Sequence, residues 1–327
     1  MGYNVTRISI QEKETLAERY TPRVQYELKS DIYGCCIKLL TDRREVRDRW
    51  SENLYNMSQN IRSHGRLYVF NDPHEGNNQI YYDPQSKTAF LLNLQYYGWI
   101  KSLALSVAGD MLEDEHAIFS VHGACIDTGC EGVCILGSSG AGKTTQTYGL
   151  LRETKIRVVS DDWFFVRVFG RDILAYGSEK NFYIRADLAT VWPEFRDLVA
   201  HAEFDADGRA VVDLRWIVGK GRILPLTTLR TLVLLKRDPS DARIVNAIDQ
   251  DEAMKILQKE SFFNPHFLVQ NEFKTAVRTS FFRDLLARTT AFVVNTTGTP
   301  EESQNVIRRL ANLNSSHEIS RSHLSGM

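Results

Sequence analysis

The chain has 327 residues, of which 43% are hydrophobic and 25% are charged, and its formal net charge is −1. This composition is typical of a globular protein of one or two domains, and the near-neutral charge argues against a nucleic-acid or membrane partner. The apolar stretches are shorter than a bilayer span, and residues 1–7 lack the apolar core of a signal peptide. We therefore expect a cytoplasmic protein.

Residues 1–115 are expected to form a small α/β domain without recognisable chemistry. β-rich segments are predicted at 24–28, 33–40, 66–70, 79–82 and 88–92, and helices at 43–57 and 94–114. The last two strands flank an Asp83-Pro84-Gln85-Ser86 turn, which predicts a hairpin.

Residues 116–314 show the strand, loop and helix pattern expected of a nucleotide-binding domain. Strands are predicted at 119–126, 133–136, 156–160, 163–168, 173–176, 231–235 and 291–294, and helices at 144–153, 186–201, 250–260 and 272–288. A final helix should begin with a capping box formed by Thr299 and Glu302, with Pro300 at its first position. Residues 315–327 are predicted to be a flexible tail.

The five cysteines, at positions 35, 36, 125, 130 and 134, are odd in number and include two neighbours. This pattern argues against a disulfide framework, and no spacing typical of a zinc site is present. We expect Cys125, Cys130 and Cys134 to be small buried residues beside the strand at 133–136.

The most informative segment is residues 137–144, which read Gly-Ser-Ser-Gly-Ala-Gly-Lys-Thr between a predicted strand and a predicted helix. A glycine-rich loop there can direct backbone N–H groups and the positive end of a helix at phosphates. The Lys143 ammonium can reach the β- and γ-phosphates, and the Thr144 hydroxyl suits Mg²⁺. The predicted nucleotide-binding residues are Gly137, Ser138, Ser139, Gly140, Ala141, Gly142, Lys143, Thr144 and Thr145.

A second chemical feature is the pair Asp161 and Asp162, which follows the apolar strand predicted at 156–160. One carboxylate can hold a metal and another can orient an attacking hydroxyl, although a solvated turn is the alternative. Adjacent strand residues point to opposite faces, so both acids can serve one site only where the strand ends or twists. Trp163 follows where an ATPase would usually have a water-activating glutamate, which favours a hydroxyl acceptor.

From Val121-His122-Gly123 through the glycine-rich loop to Ser160-Asp161-Asp162, the chain resembles the catalytic core of the HPr kinase/phosphorylase family. That family is similar in fold to phosphoenolpyruvate carboxykinase, and the resemblance covers residues 116–190. It implies an α/β P-loop nucleotide-binding core of the HPr kinase/phosphoenolpyruvate carboxykinase type, whereas the small N-terminal α/β domain predicted above does not resemble that family's first domain. The family assembles into multimers, so a homo-oligomer is possible.

The resemblance also implies roles for individual residues. Asp161 would accept the proton of the attacking hydroxyl, Asp162 would hold Mg²⁺ together with Thr144, and His122 would lie near the transferred phosphate. Lys143 would neutralise the γ-phosphate. The family's Lys-Ser-Glu is Lys-Thr-Thr here, and its Glu-Ile-Arg-Gly signature is Tyr-Ile-Arg-Ala at 183–186, in which Arg185 could contact phosphate or lie free on the surface.

Two functions remain open from the sequence. The favoured one is a Mg²⁺- and ATP-dependent kinase that phosphorylates a serine-like hydroxyl of a peptide, a protein or a small metabolite. The alternative is a nucleotide-binding regulatory module that hydrolyses ATP slowly. A closed cavity beside Asp161 would favour a metabolite and an open groove beside Trp163 and Tyr183 would favour a peptide, while GTP and pyrophosphate remain possible donors.

Overall fold

The computed structural model describes residues 3–205, 208–259 and 263–313, and strands and helices are interspersed throughout them. In chain order the strands are β1 (Asn4–Arg7), β2 (Tyr26–Ile32), β3 (Cys35–Thr41), β4 (Tyr55–Asn56), β5 (Gly65–Phe70), β6 (Gln79–Asp83), β7 (Thr88–Leu92), β8 (Ile118–His122), β9 (Ala124–Asp127), β10 (Gly132–Gly137), β11 (Arg157–Ser160), β12 (Trp163–Phe169), β13 (Asp172–Gly177), β14 (Phe182–Arg185), β15 (Arg209–Val212), β16 (Leu226–Lys236), β17 (Val245–Ile248) and β18 (Thr290–Asn295). The helices are α1 (Ile10–Tyr20), α2 (Arg44–Asn53), α3 (Tyr97–His116), α4 (Lys143–Leu151), α5 (Leu188–Val191), α6 (Arg196–Ala200), α7 (Arg215–Val218), α8 (Gln250–Lys259), α9 (Glu272–Ala287) and α10 (Pro300–Leu313).

The chain is a mixed α/β protein that divides into two compact units. The first unit contains the described residues up to Val121, together with Ser178–Asn181 and Asn264–Thr279. The second unit contains His122–Gly177 and the described residues from Phe182 to Phe263 and from Ser280 onward. No helix within the three described ranges has both the length and the apolar composition that crossing a membrane requires.

The first unit is built on a mixed sheet with the strand order β1-β6-β7-β5-β3-β2-β4. The predicted hairpin is confirmed as β6 and β7, and the Asp83 carboxylate accepts hydrogen bonds from the backbone N–H groups of Gln85 (3.0 Å) and Ser86 (3.3 Å) in the turn. Tyr20 of α1 stacks on Phe70 of β5 at a centroid distance of 5.2 Å. Burial of such a ring contributes about 1.5–3 kcal/mol, so Tyr20 anchors α1 to this sheet, with Leu16 and Ala17 packed beside it.

Within the first unit, a cluster of buried charged side chains joins α3 to the start of α9. The Lys274 ammonium lies 3.0 Å from a carboxylate oxygen of Asp110 and 3.2 Å from one of Glu113. Arg278 lies 2.9 Å from the other carboxylate oxygen of Glu113 and donates a hydrogen bond to the carbonyl oxygen of Ser120 at 3.3 Å. The side chains of Arg278 and Glu113 are only 1% and 2% exposed, so neither charge can rely on water for solvation.

The main sheet of the second unit includes the strand order β11-β9-β10-β16-β13-β12, and β18 lies between β16 and β17. Strand β16 is long because its first residues pair with β13 and its later residues pair with β10 and β18. Strands β14 and β15 form a separate antiparallel ribbon. Side chains from these strands and from α4 and α10 share one core, in which Tyr148 and Phe195 meet edge to face at 5.2 Å.

Local chemistry explains where the observed elements differ from the predicted ones. The strand predicted at 119–126 is divided into β8 and β9 at Gly123, where a Cβ would lie 2.7 Å from the carbonyl oxygen of Ile135. The helix predicted at 186–201 is divided into α5, a 3₁₀ turn and α6, because Pro193 cannot continue helical hydrogen bonding. Cys130 is exposed, contrary to expectation, because it lies in the turn before β10.

Other predictions are confirmed. Cys125 and Cys134 are buried opposite each other on β9 and β10, and all five thiols are free. The capping box of α10 is present, since the Thr299 N–H donates to the Glu302 carboxylate at 2.7 Å and the Glu302 N–H donates to the Thr299 hydroxyl at 3.2 Å. The tail predicted at 315–327 lies outside the described residues.

Candidate functional site

Three of the predicted site segments lie at one edge of the second unit's sheet. Strand β9 is antiparallel to both β10 and β11, so β10 and β11 run in the same direction and their carboxyl ends share an edge. Strand β10 ends at Gly137, and β11 ends at Ser160, directly before the two acids. Strand β9 begins at this edge, directly after Gly123. Because neighbouring strands are about 4.8 Å apart, the two strand ends are roughly 10 Å apart.

The glycine-rich segment forms a loop between β10 and α4. Gly140 and Gly142 have φ angles of 82° and 97°, which residues with side chains rarely adopt. Lys143 is the first residue of α4, and its Nζ donates a hydrogen bond to the carbonyl oxygen of Gly137 at 2.6 Å. The positive charge of Lys143 and the first backbone N–H groups of α4, which have no partner within the helix, therefore both lie at the glycine-rich loop.

Of the nine predicted nucleotide-binding residues of this stretch, Gly137 ends β10, and the other eight lie in the loop or in the first turn of α4. Ser138, Ser139 and Gly140 are exposed, and Ala141 is buried. Thr144 and Thr145 are partly buried, and the carbonyl oxygen of Thr145 accepts a hydrogen bond from the indole N–H of Trp192 at 2.8 Å. The outer residues of the loop are therefore exposed, while the first turn of α4 is held in place by the Trp192 indole.

Asp161 is a buried carboxylate that is 5% exposed. Its Oδ2 accepts a hydrogen bond from the backbone N–H of Tyr183 at 2.8 Å, so strand β14 orients it. Burial raises the pKa of Tyr148 in α4 well above its ordinary value, and the negative charge of Asp161 adds to this rise.

Asp162 has a different partner from its neighbour. Its Oδ1 lies 3.3 Å from Nε2 of His122, and its carbonyl oxygen accepts a hydrogen bond from the Gly123 N–H at 2.7 Å. The His122 ring lies beside the indole of Trp163, with centroids 6.0 Å apart and planes inclined at 27°. The side chains of His122 and Asp162 are 30% and 31% exposed, so this pair is the more accessible part of the acidic edge.

Arg185 is the last residue of β14, two positions after Tyr183. Its side chain is 59% exposed, and its Nε lies 3.8 Å from the carboxylate of Asp187. The structure therefore places Arg185 on the same ribbon that orients Asp161.

Two contributors to the site were missed from the sequence. The Thr296 hydroxyl, which follows β18, donates to the carbonyl oxygen of Ala141 at 3.0 Å and thereby supports the loop. The Tyr183 N–H orients Asp161. Neither has a local signature, because a single threonine after a strand is common and a backbone N–H is independent of residue type.

Within the described ranges, no three His, Cys, Asp or Glu side chains form a group suited to a metal ion. A nucleotide-bound Mg²⁺ needs fewer protein ligands, since it keeps several waters and binds one or two protein oxygens together with phosphates. The Thr144 hydroxyl and the Asp162 carboxylate are oxygen donors of the required kind. The donor chemistry therefore fits Mg²⁺.

No family model and no curated protein matches the chain. Among solved structures, the Hpr(Ser) kinase/phosphatase from Coxiella burnetii is similar to it, with a TM-score of 0.36 and 8% sequence identity over 60% of this chain and 99% of that chain. A similarity of this size assigns no activity and no role to any residue.

Proposed function

We propose that the chain is a Mg²⁺- and ATP-dependent phosphotransferase that transfers the γ-phosphoryl group to a hydroxyl of a small metabolite, a peptide or a protein. The supporting observation is that the glycine-rich loop and the acidic pair follow two parallel strands at one sheet edge. Phosphoryl transfer asks a protein mainly for positioning and for stabilisation of charge. A cation, a helix N-terminus and two carboxylates within roughly 10 Å can supply both.

On the donor side, the backbone N–H groups of residues 137–145 and the Lys143 ammonium bind the phosphates. The hydrogen bond from Lys143 to Gly137 holds the ammonium at the loop before a phosphate oxygen replaces the carbonyl oxygen as its acceptor. Thr144 and Asp162 would hold the metal ion, which would neutralise part of the phosphate charge. Arg185 remains a second candidate for contact with phosphate.

On the acceptor side, the hydroxyl oxygen forms a bond to the γ-phosphorus while the bond from that phosphorus to the bridging oxygen breaks and ADP leaves. The hydroxyl proton passes to Asp161, whose carboxylate is held in one orientation by the Tyr183 N–H. In this proposal His122, which is partly exposed and paired with Asp162, would donate a hydrogen bond to the transferred group.

The proposal is tested by ADP release from Mg·ATP, measured with and without pooled hydroxyl metabolites and serine-containing peptides. We expect Asp161→Asn to lower acceptor-dependent release by at least about 100-fold and to leave ATP affinity nearly unchanged. Lys143→Ala should instead weaken ATP binding by roughly 10- to 100-fold, since a charge-assisted hydrogen bond is lost. Asp187→Asn is the matched control, because Asp187 is 72% exposed.

Unchanged turnover in Asp161→Asn would exclude this residue as the proton acceptor. Slow ADP release that no acceptor stimulates would instead favour the regulatory nucleotide-binding module. Parallel reactions with GTP and pyrophosphate identify the donor, because a glycine-rich loop binds phosphates without reading the base.

A further inference from the structure

A cavity of about 370 Å³ lies within the first unit, beside the outermost strand of its sheet. This volume falls in the range of about 300–1,000 Å³ that is typical of ligand pockets. The cavity is lined by residues of β1 and of the segment before α9, which include Asn4, Val5, Arg7, Phe267, Leu268 and Gln270. It therefore borders the open edge of the sheet.

The outer side of β1 presents main-chain groups that have no partner strand. The N–H groups of Asn4 and Ile8 donate to carbonyl oxygens on the β6 side at 3.3 and 2.9 Å, so alternate residues from Asn4 onward face β6. Val5 and Arg7 lie between these residues and direct their N–H and C=O groups away from β6. Because β1 is the outermost strand, no strand among the described residues pairs with this side. The two residues are roughly 6.6 Å apart, which is the two-residue repeat of an extended peptide.

The charge at this edge is positive. Arg7 is exposed, and it is the only charged residue among the described residues that line the cavity. No carboxylate within the described ranges pairs with its guanidinium. An occupant that carries a carboxylate would therefore meet an unpaired cation. A second copy of β1, which contains no acidic residue, would instead bring another arginine, and like charges on paired strands repel each other.

The opposite wall of the cavity contains a residue with unusual backbone geometry. Phe267 has a φ angle of 56°, which residues with large side chains rarely adopt, and the next residue, Leu268, is only 1% exposed. Strained backbone of this kind persists where the surrounding structure holds it, and it is concentrated at functional sites. A short, charged edge strand also protects a sheet from aggregation, but this protection requires no cavity with such a wall.

We propose that β1 and the cavity beside it bind an extended, acidic segment of a partner protein. The main chain of this segment pairs with the outward N–H and C=O groups of Val5 and Arg7, and one of its side chains enters the cavity. A neighbouring Asp or Glu carboxylate binds the Arg7 guanidinium. In recognition at a sheet edge, main-chain hydrogen bonds supply affinity and side-chain pockets supply specificity. This inference uses only the first unit and does not depend on the proposed phosphotransferase function.

The test selects ligands from a bead library of random decapeptides, which are acetylated and amidated so that only side chains supply carboxylates. The full chain is the bait, and fluorescence anisotropy measures the affinity of each selected peptide. We expect Asp or Glu to be enriched at one position, and Arg7→Gln to bind the selected peptides at least about tenfold more weakly. Arg62→Gln, which changes another exposed arginine of the first unit, is the control and should bind as the wild type does.

Two further measurements distinguish strand pairing from binding in the cavity alone. Val5→Pro removes an N–H that faces outward and so retains the pairing with β6, whereas Val5→Ala keeps this N–H. The proline variant should bind the selected peptides about 2- to 12-fold more weakly than the alanine variant, since one main-chain hydrogen bond is lost. N-methylation of the peptide should weaken binding at every second position only, because alternate N–H groups face β1.

Selected peptides without an enriched acidic residue, or equal binding by Arg7→Gln and the wild type, would overturn the proposal. An N-methylation series without alternation would also overturn it, as would failure of every peptide to bind at about 1 mM. Self-association of the full chain that Val5→Pro abolishes would overturn it in favour of a second copy at this edge. Should Val5→Pro fail to fold, the N-methylation series decides the outcome on the wild-type protein.

Discussion

Replacing Gly142 by alanine tests whether the loop geometry serves phosphate binding. Gly142 has φ 97° and ψ 16°, and a Cβ there would meet no atom within 4 Å, so the cost of the substitution is conformational. Left-handed backbone costs a residue with a side chain about 1–2 kcal/mol. Gly129, in the turn before β10, offers a matched control because its φ is 95° and the nearest atom to a Cβ would be 3.9 Å away.

Both variants should therefore lose similar stability, which for a unit of about 150–250 residues corresponds to a Tm lower by about 2–8 °C. Only Gly142→Ala should also bind ATP more weakly. Relaxation of the strained residue moves the loop, and loss of one hydrogen bond to a charged phosphate costs about 1.5–3 kcal/mol, or roughly 10- to 150-fold in affinity. Differential scanning fluorimetry measures Tm, and calorimetric titration with Mg·ATP measures affinity. Equal ATP affinities in the two alanine variants would refute this reasoning.

Two predictions concern the buried charges of the first unit. Arg278→Met should destabilise the chain by about 3–5 kcal/mol in urea denaturation, because it removes one of the two cations that face the buried Glu113 carboxylate and leaves only Lys274. Arg283→Met on the exposed face of α9 should change stability by less than about 0.5 kcal/mol. Burial and the charges of Arg278 and Lys274 lower the pKa of His266 well below its usual range, so His266 is neutral when folded and gains a proton on unfolding. The free energy of unfolding of the wild type should therefore decrease as the pH is lowered below about 6.5. This decrease should be steeper than that of His266→Gln by up to about 1.4 kcal/mol per pH unit, and equal slopes in the two proteins would contradict this.

Local signals in the sequence predicted much of the secondary structure. The Asp83–Ser86 turn between two β-rich segments was enough for the β6–β7 hairpin, and the Thr299 capping box was enough for the start of α10. Helix α1 was missed, although Ser9 and Glu12 form a capping box of the same kind. Its weak apolar pattern hid the signal, because α1 buries little beyond Tyr20.

The division into units depends on contacts between distant residues, which a single sequence does not display. Ser178–Asn181 belongs to the first unit, where the Glu179 carboxylate lies 3.0 Å from the Lys101 ammonium in a pair that is almost fully buried. Asn264–Thr279 also belongs to it and contributes Lys274 to the acidic residues of α3. Isolated lysines and acidic residues in a sequence are predicted to lie on the surface, so neither segment could be assigned to the first unit from its composition.

The candidate site divides in the same way between local and distant information. Phosphate binding uses backbone N–H groups at fixed positions in one short loop, so the residue types at 137–145 carry a readable signal. The N–H group that orients Asp161 comes from Tyr183 on another strand, 22 positions later, and no local pattern marks this contact. Local motifs therefore predict where a phosphate would bind, whereas contacts between distant residues decide how the carboxylate beside that loop is oriented.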